Sequence, residues 1–239
     1  MATSLQDASV VLIGGSSGIG LATAMQARAA GAAVTIAGRD EQKLAIASKQ
    51  IGGDTRTAAL DIADESAVRD LFASIDHVDH VATLAGTHVA GNIADVDTDA
   101  LRGPVDNRFW GPLFLCKHAA PKMTSGSITI CTGAGVGRPR AGGAIVSAAA
   151  GGSEVLARAM AVELAPIRVN VIRPGIVDTP LLDRMAGDRR DDMLAAMAKR
   201  IPLGRVAQAE EIAEAIIFLM TSAYVTGETL TIDGGFSLV

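Results

Sequence analysis

Four apolar residues, Val10 to Ile13, run straight into Gly14-Gly15-Ser16-Ser17-Gly18-Ile19-Gly20 and then into a helix-forming stretch, Leu21 to Ala30. A buried strand, a glycine turn and a helix start, in that order, are what a nucleotide pyrophosphate requires. Gly14 permits the sharp turn, Gly18 lets backbone approach phosphate oxygens, and Gly20 lets the helix pack closely on the strand. Ser16, Ser17 and Ile19 complete a loop whose free N–H groups and positive helix end face the anion. The same spacing also arises in ordinary loops, so its weight depends on the rest of the chain. After the next strand-like run comes Gly38-Arg39-Asp40. An acid at that strand end would accept hydrogen bonds from an unphosphorylated adenosine ribose, and Gly38 offers none. Arg39 presents a guanidinium fork suited to a 2′-phosphate, which favours NADP over NAD. The alternatives are a solvated arginine at a helix start and, for Asp40, a helix N-cap.

The elements that must position these residues alternate along the chain. Strand-like runs occupy Val10–Ile13, Ala33–Ala37, Thr57–Leu60, Val78–Leu84, Ser127–Cys131, Val169–Ile172 and Thr229–Ile232. Helical stretches lie between them at Gly18–Ala30, Glu41–Gln50, Glu65–Ser74, Thr98–Met123, Val146–Leu164 and Glu210–Met220. Such alternation predicts an α/β fold in which crossover helices join parallel strands, doubly wound, as one domain over residues 1–239. No linker or solenoid repeat interrupts it. The glycine-rich stretch Gly133 to Gly143 reads as an active-site loop, and the less regular segment Leu181 to Arg200 as a candidate lid.

The chain has 239 residues, 49% of them hydrophobic, which is enough to bury a substantial core. Its net charge is -5 with scattered basic residues, so neither nucleic acid nor a membrane surface is an expected partner. Met1 to Asp7 carries no basic, signal-like start, and no apolar run reads as long enough to span a bilayer, so a cytoplasmic protein is expected. Cys116 and Cys131 have no ligand-like spacing to histidines; they read as small buried hydrophobes, with neither a disulfide nor a metal site.

At this point the chain resembles the short-chain dehydrogenase/reductase family from end to end. The likeness rests on Gly14-x-x-x-Gly18-Ile19-Gly20, Leu60-Asp61-Ile62, Ala85-Gly86, Ile167-Arg168-Val169-Asn170 followed by Pro174-Gly175, and Val225-Thr226-Gly227 with Asp233-Gly234-Gly235. The resemblance implies a Rossmann-type sheet of about seven strands with helices on both faces and a nicotinamide cofactor. It sets Asp61 and Ile62 near the adenine, Ala85 and Gly86 beside the ribose, and Pro174, Gly175, Ile176 and Thr179 around the nicotinamide. It also implies a small-molecule substrate and a homodimer or homotetramer. Ala148-Ala149-Ala150-Gly151-Gly152 fits close helix contact, because two glycines inside a helix cost about 1 kcal/mol each relative to alanine unless packing offsets it. Burial against the chain's own sheet is the other account of that run.

The family's catalytic pattern breaks in this chain. Aligning Ala161 to Pro166 with the family's helix end puts Val146 where the proton-donating tyrosine belongs and Ala150 where its lysine belongs; the single tyrosine is Tyr224. Valine cannot titrate. The family's serine falls on Thr132, or on Gly133 with a longer loop. Counting back three from Gly111 places Arg108 at the family's asparagine, with Asn107 one position earlier on another face. A guanidinium cannot serve as the acid, but it polarises a carbonyl or forks a carboxylate. His88 titrates in the useful range and follows Ala85-Gly86, although a loop histidine is ordinarily a surface residue. Arg138 and Arg140 read either as collectors of an anionic substrate or as solvated. The leading expectation is an NADP-dependent oxidoreductase acting on a small carbonyl or hydroxyl compound, with Thr132, Arg108 and His88 as candidate catalytic residues and water or His88 delivering the proton. Two readings stand beside it: an NADP-binding sensor or structural protein without turnover, and a non-redox lyase or isomerase on the same fold.

Overall fold

A computed structural model describes residues 4–86, 89, 91–186 and 189–239. Seven parallel strands form the central sheet in the order β3-β2-β1-β4-β5-β6-β9. They are β1 (Ser9–Ile13), β2 (Ala33–Gly38), β3 (Arg56–Ala59), β4 (His80–Thr83), β5 (Ser127–Cys131), β6 (Arg168–Pro174) and β9 (Thr229–Ile232). The chain moves outward from β1 to β3, then returns to lay β4 against the other side of β1, with Val11 opposite both Thr35 and Val81. That reversal opens a crevice beyond the strand ends, where α/β sheets bind their ligands.

Side-chain alternation divides the core between the two faces of the sheet. Val11 and Ile13 join Phe72, Leu115, Ile128 and Val169 on one face. Val10 and Leu12 join Ile36, Ile212, Ile216 and Leu219 on the other. The helices supplying these layers are α1 (Gly18–Ala29), α2 (Glu41–Ile51), α3 (Glu65–Ala73), α5 (Gly111–Ala119), α6 (Ala144–Glu163) and α9 (Ala209–Thr221). At 20 residues α6 is long and apolar enough, by length and composition, to cross a bilayer, contrary to the sequence expectation. Its inward face nevertheless includes the polar residues Ser153 and Glu154 among its buried positions, as suits a helix laid on a sheet.

Three further departures bear on the site. The stretch Thr98–Met123 is not one helix: α4 (Thr98–Val105) gives way to a π turn over Asp106–Trp110 before α5 begins. Pro104, without an N–H, sits just before that break. The segment Leu181–Arg200 holds two helices, α7 (Pro180–Ala186) and α8 (Arg190–Ala198). Arg190 pairs there with Asp178 and, at 2.6 Å, with Asp183. Finally, β7 (Val177–Asp178) and β8 (Ala207–Gln208) form a small second sheet that the sequence pattern does not signal. Gly151 and Gly152 answer to neighbours within the chain: a Cβ on Gly152 would lie 3.1 Å from Phe109 of the π turn, and one on Gly151 3.6 Å from Val136.

A buried histidine couples this fold to pH. His80 is 4% exposed, shares a 2.9 Å hydrogen bond with the Ser127 hydroxyl, and is pushed down to about 4 by burial, against the opposing charge of Asp79 and with the help of Arg168. The unfolded chain therefore takes up a proton below about pH 6.5 that the folded protein refuses until about pH 4. Stability attributable to this residue is intact above pH 6.5 and falls by about 3 kcal/mol on acidification to pH 4. Urea unfolding at pH 7.5, 5.5 and 4.5 checks this, and His80→Gln should flatten the pH dependence relative to the native protein.

Candidate cofactor cleft and catalytic end

A cleft of about 240 Å³ opens over the carboxyl ends of β1 to β4. Its floor is backbone. Gly14 and Gly18 hold φ of +87° and +52°, in the left-handed region that favours glycine. A Cβ on Gly14 would lie 2.8 Å from the Ala85 nitrogen, and one on Gly20 only 2.0 Å from the Gly14 carbonyl oxygen. Ser17 precedes α1 in extended conformation without capping it through its side chain, and no acid occupies the first turn. The amides at that helix start therefore face the cleft with a favourable dipole for an anion.

Of the residues expected to hold a cofactor, Gly14, Ser16, Ser17, Gly18, Ile19, Gly20, Arg39, Asp61, Ile62, Ala85, Gly86 and Thr179 line this cleft. Pro174, Gly175 and Ile176 are not among its lining. Gly175 lies against Asp233, where a Cβ would come within 2.7 Å, and Ile176 lines a separate small cavity with Ile201, Leu203 and Gly234. At the adenosine end Arg39 stands 3.8 Å from Asp61, both partly exposed. Asp40 caps α2 by accepting from the Lys43 backbone N–H at 3.0 Å, and its side chain stands 3.5 Å from Lys43 Nζ. The amide bond and the neighbouring ammonium hold the Asp40 carboxyl below its usual value. Lys43 also lines the cleft. The sequence reading missed it, although a lysine three residues after a helix cap returns to that cap's side by helical periodicity.

At the other end the π turn inserts one extra residue per turn and decides which side chains face inward. Asn107, 8% exposed, lines the cleft. Arg108 lays its guanidinium on Gly86, whose Cβ would come within 2.8 Å of Nη2. Burial lowers the Arg108 pKa from its ordinary value, while the nearby Cys131 opposes that shift. The same burial pushes the Cys131 thiol up to about 11, and Cys116 goes to about 12. Both remain protonated thiols at neutral pH. The Arg108 carbonyl accepts a hydrogen bond from the Ser153 hydroxyl, which fastens the π turn to α6.

Thr132 is 7% exposed, and its hydroxyl is directed to Glu154 Oε1 at 3.0 Å, with the Ile172 carbonyl further away at 3.4 Å. Glu154, itself 5% exposed, is gripped by Arg173 through Nε at 2.9 Å and again through Nη2. Donating hydrogen bonds to the Glu154 carboxylate raises the Arg173 pKa. Glu154 is a second residue the sequence reading missed; an acid between Ser153 and Val155 on a helix carries no signal of its partner on β6. Val146 and Ala150 both lie on α6. Tyr224 is fully exposed. His88 lies outside the described residues. Arg138 is engaged with Phe236 rather than solvated, and Arg140 is exposed.

Comparison with known proteins agrees with this architecture. The family model described as enoyl-(acyl carrier protein) reductase matches residues 14–237. The human 3-oxoacyl-[acyl-carrier-protein] reductase is 32% identical over 237 residues, spanning 95% of this chain and 97% of its own. A solved small-chain dehydrogenase in complex with NADPH superposes with a TM-score of 0.85 at 33% identity, covering 98% of this chain and all of that one. The MalC reductase/Diels-Alderase from Malbranchea aurantiaca superposes at 0.92 with 30% identity over 98% of each chain. The chain belongs to the short-chain dehydrogenase/reductase family, and its parallel Rossmann-type sheet is that family's fold.

The backbone contact beneath the cleft gives a contrast between two glycines. Gly20→Ala should cost about 1–3 kcal/mol by overpacking and abolish measurable binding of a nicotinamide dinucleotide. Gly133→Ala meets nothing within 4 Å and should leave both the melting temperature and the affinity unchanged. Thermal melts and calorimetric titration of the two variants check the pair.

Proposed function

We propose that the protein is an NADP-dependent oxidoreductase that interconverts a small carbonyl compound and its alcohol, with an active site rebuilt around Arg108. The observation that carries the cofactor choice is the adenosine end of the cleft, where Gly38 ends the strand and Arg39 and Lys43 stand beside it, facing Asp61 and Asp40. Two cations at that point favour a 2′-phosphate. The NADPH complex among the structural relatives supports the same choice.

A bound nicotinamide supplies or accepts a hydride. The chain's own residues do the rest. In the reduction the Arg108 guanidinium would stabilise the negative charge that develops on the carbonyl oxygen, from the Gly86 side. Water or His88 provides the proton, because Val146 and Ala150, at the positions of the family's tyrosine and lysine, have none to give. Thr132 takes no part as a donor, since its one hydroxyl proton is directed to Glu154. The partly buried guanidinium stays protonated across the working pH range and orients substrate without titrating. A homo-oligomer fits the exposed Trp110, Val155 and Val162 on the π turn and α6.

The engaged Thr132 hydroxyl also favours a second reading, a nucleotide-binding protein without turnover. The two readings part at Arg108. For the enzyme, Arg108→Ala lowers kcat by roughly 10²–10³-fold on a carbonyl that the native protein reduces, with the NADPH Kd unchanged. For the binder, a broad carbonyl panel gives no NADPH oxidation, and the same variant alters cofactor affinity or assembly. The cofactor choice is tested separately by calorimetry. NADPH should bind several-fold tighter than NADH, with Arg39→Ala removing most of the difference and Lys43→Ala part of it; equal affinities in the native protein exclude the assignment.

A further inference from the structure

Three segments leave the sheet separately around the nicotinamide end: the glycine-rich stretch after β5, the turn after β6, and the arm formed by α7 and α8. All three come to rest on one turn after β9, Asp233–Ser237. Asp233 builds that turn by accepting from the Gly235 and Ser237 N–H groups, each at 2.9 Å. The turn after β6 meets it through Gly175, packed on Asp233, whose N–H bonds the Ile232 carbonyl at 2.8 Å. The chain leaving the arm meets it where the Leu203 N–H bonds the Gly234 carbonyl at 3.2 Å, and where a Cβ on Gly235 would touch Pro202 at 2.9 Å. The glycine-rich stretch arrives through Arg138. Its Nη1 donates to the Phe236 carbonyl at 2.7 Å, and its guanidinium carbon lies 4.4 Å from the centre of the Phe236 ring. Arg200, just past α8, approaches the same ring at 5.9 Å.

We propose that Phe236 is the pin of a clasp that sets the width of the substrate mouth, a positioning residue that joins the glycine-rich stretch to the α7–α8 arm through Arg138 and Arg200. The two grips are unequal. Arg138 has both the carbonyl and the ring face, whereas Arg200 sits near the outer limit of cation–π attraction and is repelled by the first guanidinium. Phe236 therefore holds the glycine-rich stretch more firmly than it holds Arg200, and the arm keeps further anchors in the Arg190 pairs with Asp178 and Asp183 and in the Leu203 hydrogen bond. α7 begins with Pro180 and Leu181, which line the cofactor cleft, so the clasp borders that cleft on its α7 side. Holding a loop of many glycines in one conformation lowers the ordering cost of binding a substrate against it.

Hydrogen–deuterium exchange on the full chain, with and without NADPH, tests the clasp without any assumed reaction. Amides of residues 133–143 should exchange several-fold faster in Arg138→Gln, less so in Phe236→Leu, and at the native rate in Phe236→Tyr, which keeps the aromatic face. Arg200→Gln should quicken exchange in residues 190–200 alone. The NADPH Kd stays native throughout. The effect on turnover rests on the reduction proposed above: KM for the carbonyl rises several-fold in Phe236→Leu with kcat retained, and the tyrosine variant restores it. Native exchange over 133–143 in Arg138→Gln overturns the clasp, as does equal acceleration in the leucine and tyrosine variants. If Phe236→Leu unfolds globally, the Arg138→Gln exchange decides alone.

Discussion

Where β1 turns into α1, the Gly20 α-carbon stands so close to the Gly14 carbonyl that a Cβ would lie 2.0 Å from its oxygen, and a Cβ on Gly14 would lie 2.8 Å from the Ala85 nitrogen. These contacts fix the angle of α1 on the sheet and the distance between the ends of β1 and β4. The sheet order then places the crevice at that spot, because β2 and β4 flank β1 on opposite sides. Other parts of the cleft are attached to this joint: Arg39 and Lys43 hang from the end of β2 and the start of α2, and Thr179, just before α7, packs on Gly18, while Arg108 rests on Gly86 at the cleft's edge.

On the far side of the sheet switch the problem is electrostatic rather than steric. Glu154 is a buried acid on a helix that is otherwise largely alanine, glycine and apolar residues, and its charge is met by Arg173 on β6. A buried pair of this kind is weak evidence for stability, yet removing one partner leaves an unmatched charge in a poor solvent. It fixes where α6 sits along β6 and, through Thr132, where β5 ends. The π turn is held to the same helix by Ser153. The π turn and the ends of β5 and β6 are thus registered on one stretch of α6, Ser153 and Glu154, about one turn beyond Ala150.

The cleft over the ends of β1 to β4 was legible in the sequence because it is made of backbone. A glycine whose neighbours leave no room for a Cβ announces itself by type, and most of the residues assigned from such landmarks line the cleft. The seven strands were legible too, since each is a short apolar run bounded by turn residues. What failed was set by distant partners. The stretch Thr98–Met123 has helical periodicity at both ends, and nothing local except Gly103-Pro104 hints that a π turn interrupts it. That turn decides that Asn107 faces the cleft while Arg108 lies on Gly86. Likewise Thr132 offered a hydroxyl, but its direction depends on Glu154, 22 residues away in the chain. The helices of residues 181–200 carry weak amphipathic patterning, and Arg190 anchors them by charge rather than by an apolar stripe.

A hydroxyl has one proton, and in Thr132 it is directed to a carboxylate. The lone pairs that remain are able to accept a hydrogen bond from a substrate alcohol but give nothing to a carbonyl. Polarisation of a carbonyl oxygen in the proposed reaction therefore rests on a guanidinium, which stabilises negative charge without transferring a proton. Charge stabilisation and proton delivery, joined in one group wherever a tyrosine does both, are separated in the proposed reaction. A group with a pKa far above the working range contributes the same stabilisation at every accessible pH, so any ionisation seen in turnover belongs to the proton source or the substrate and not to Arg108. The desolvation that lowers the Arg108 pKa also strengthens its attraction for an oxyanion, because the same loss of water that penalises the isolated cation leaves less solvent to screen the pair.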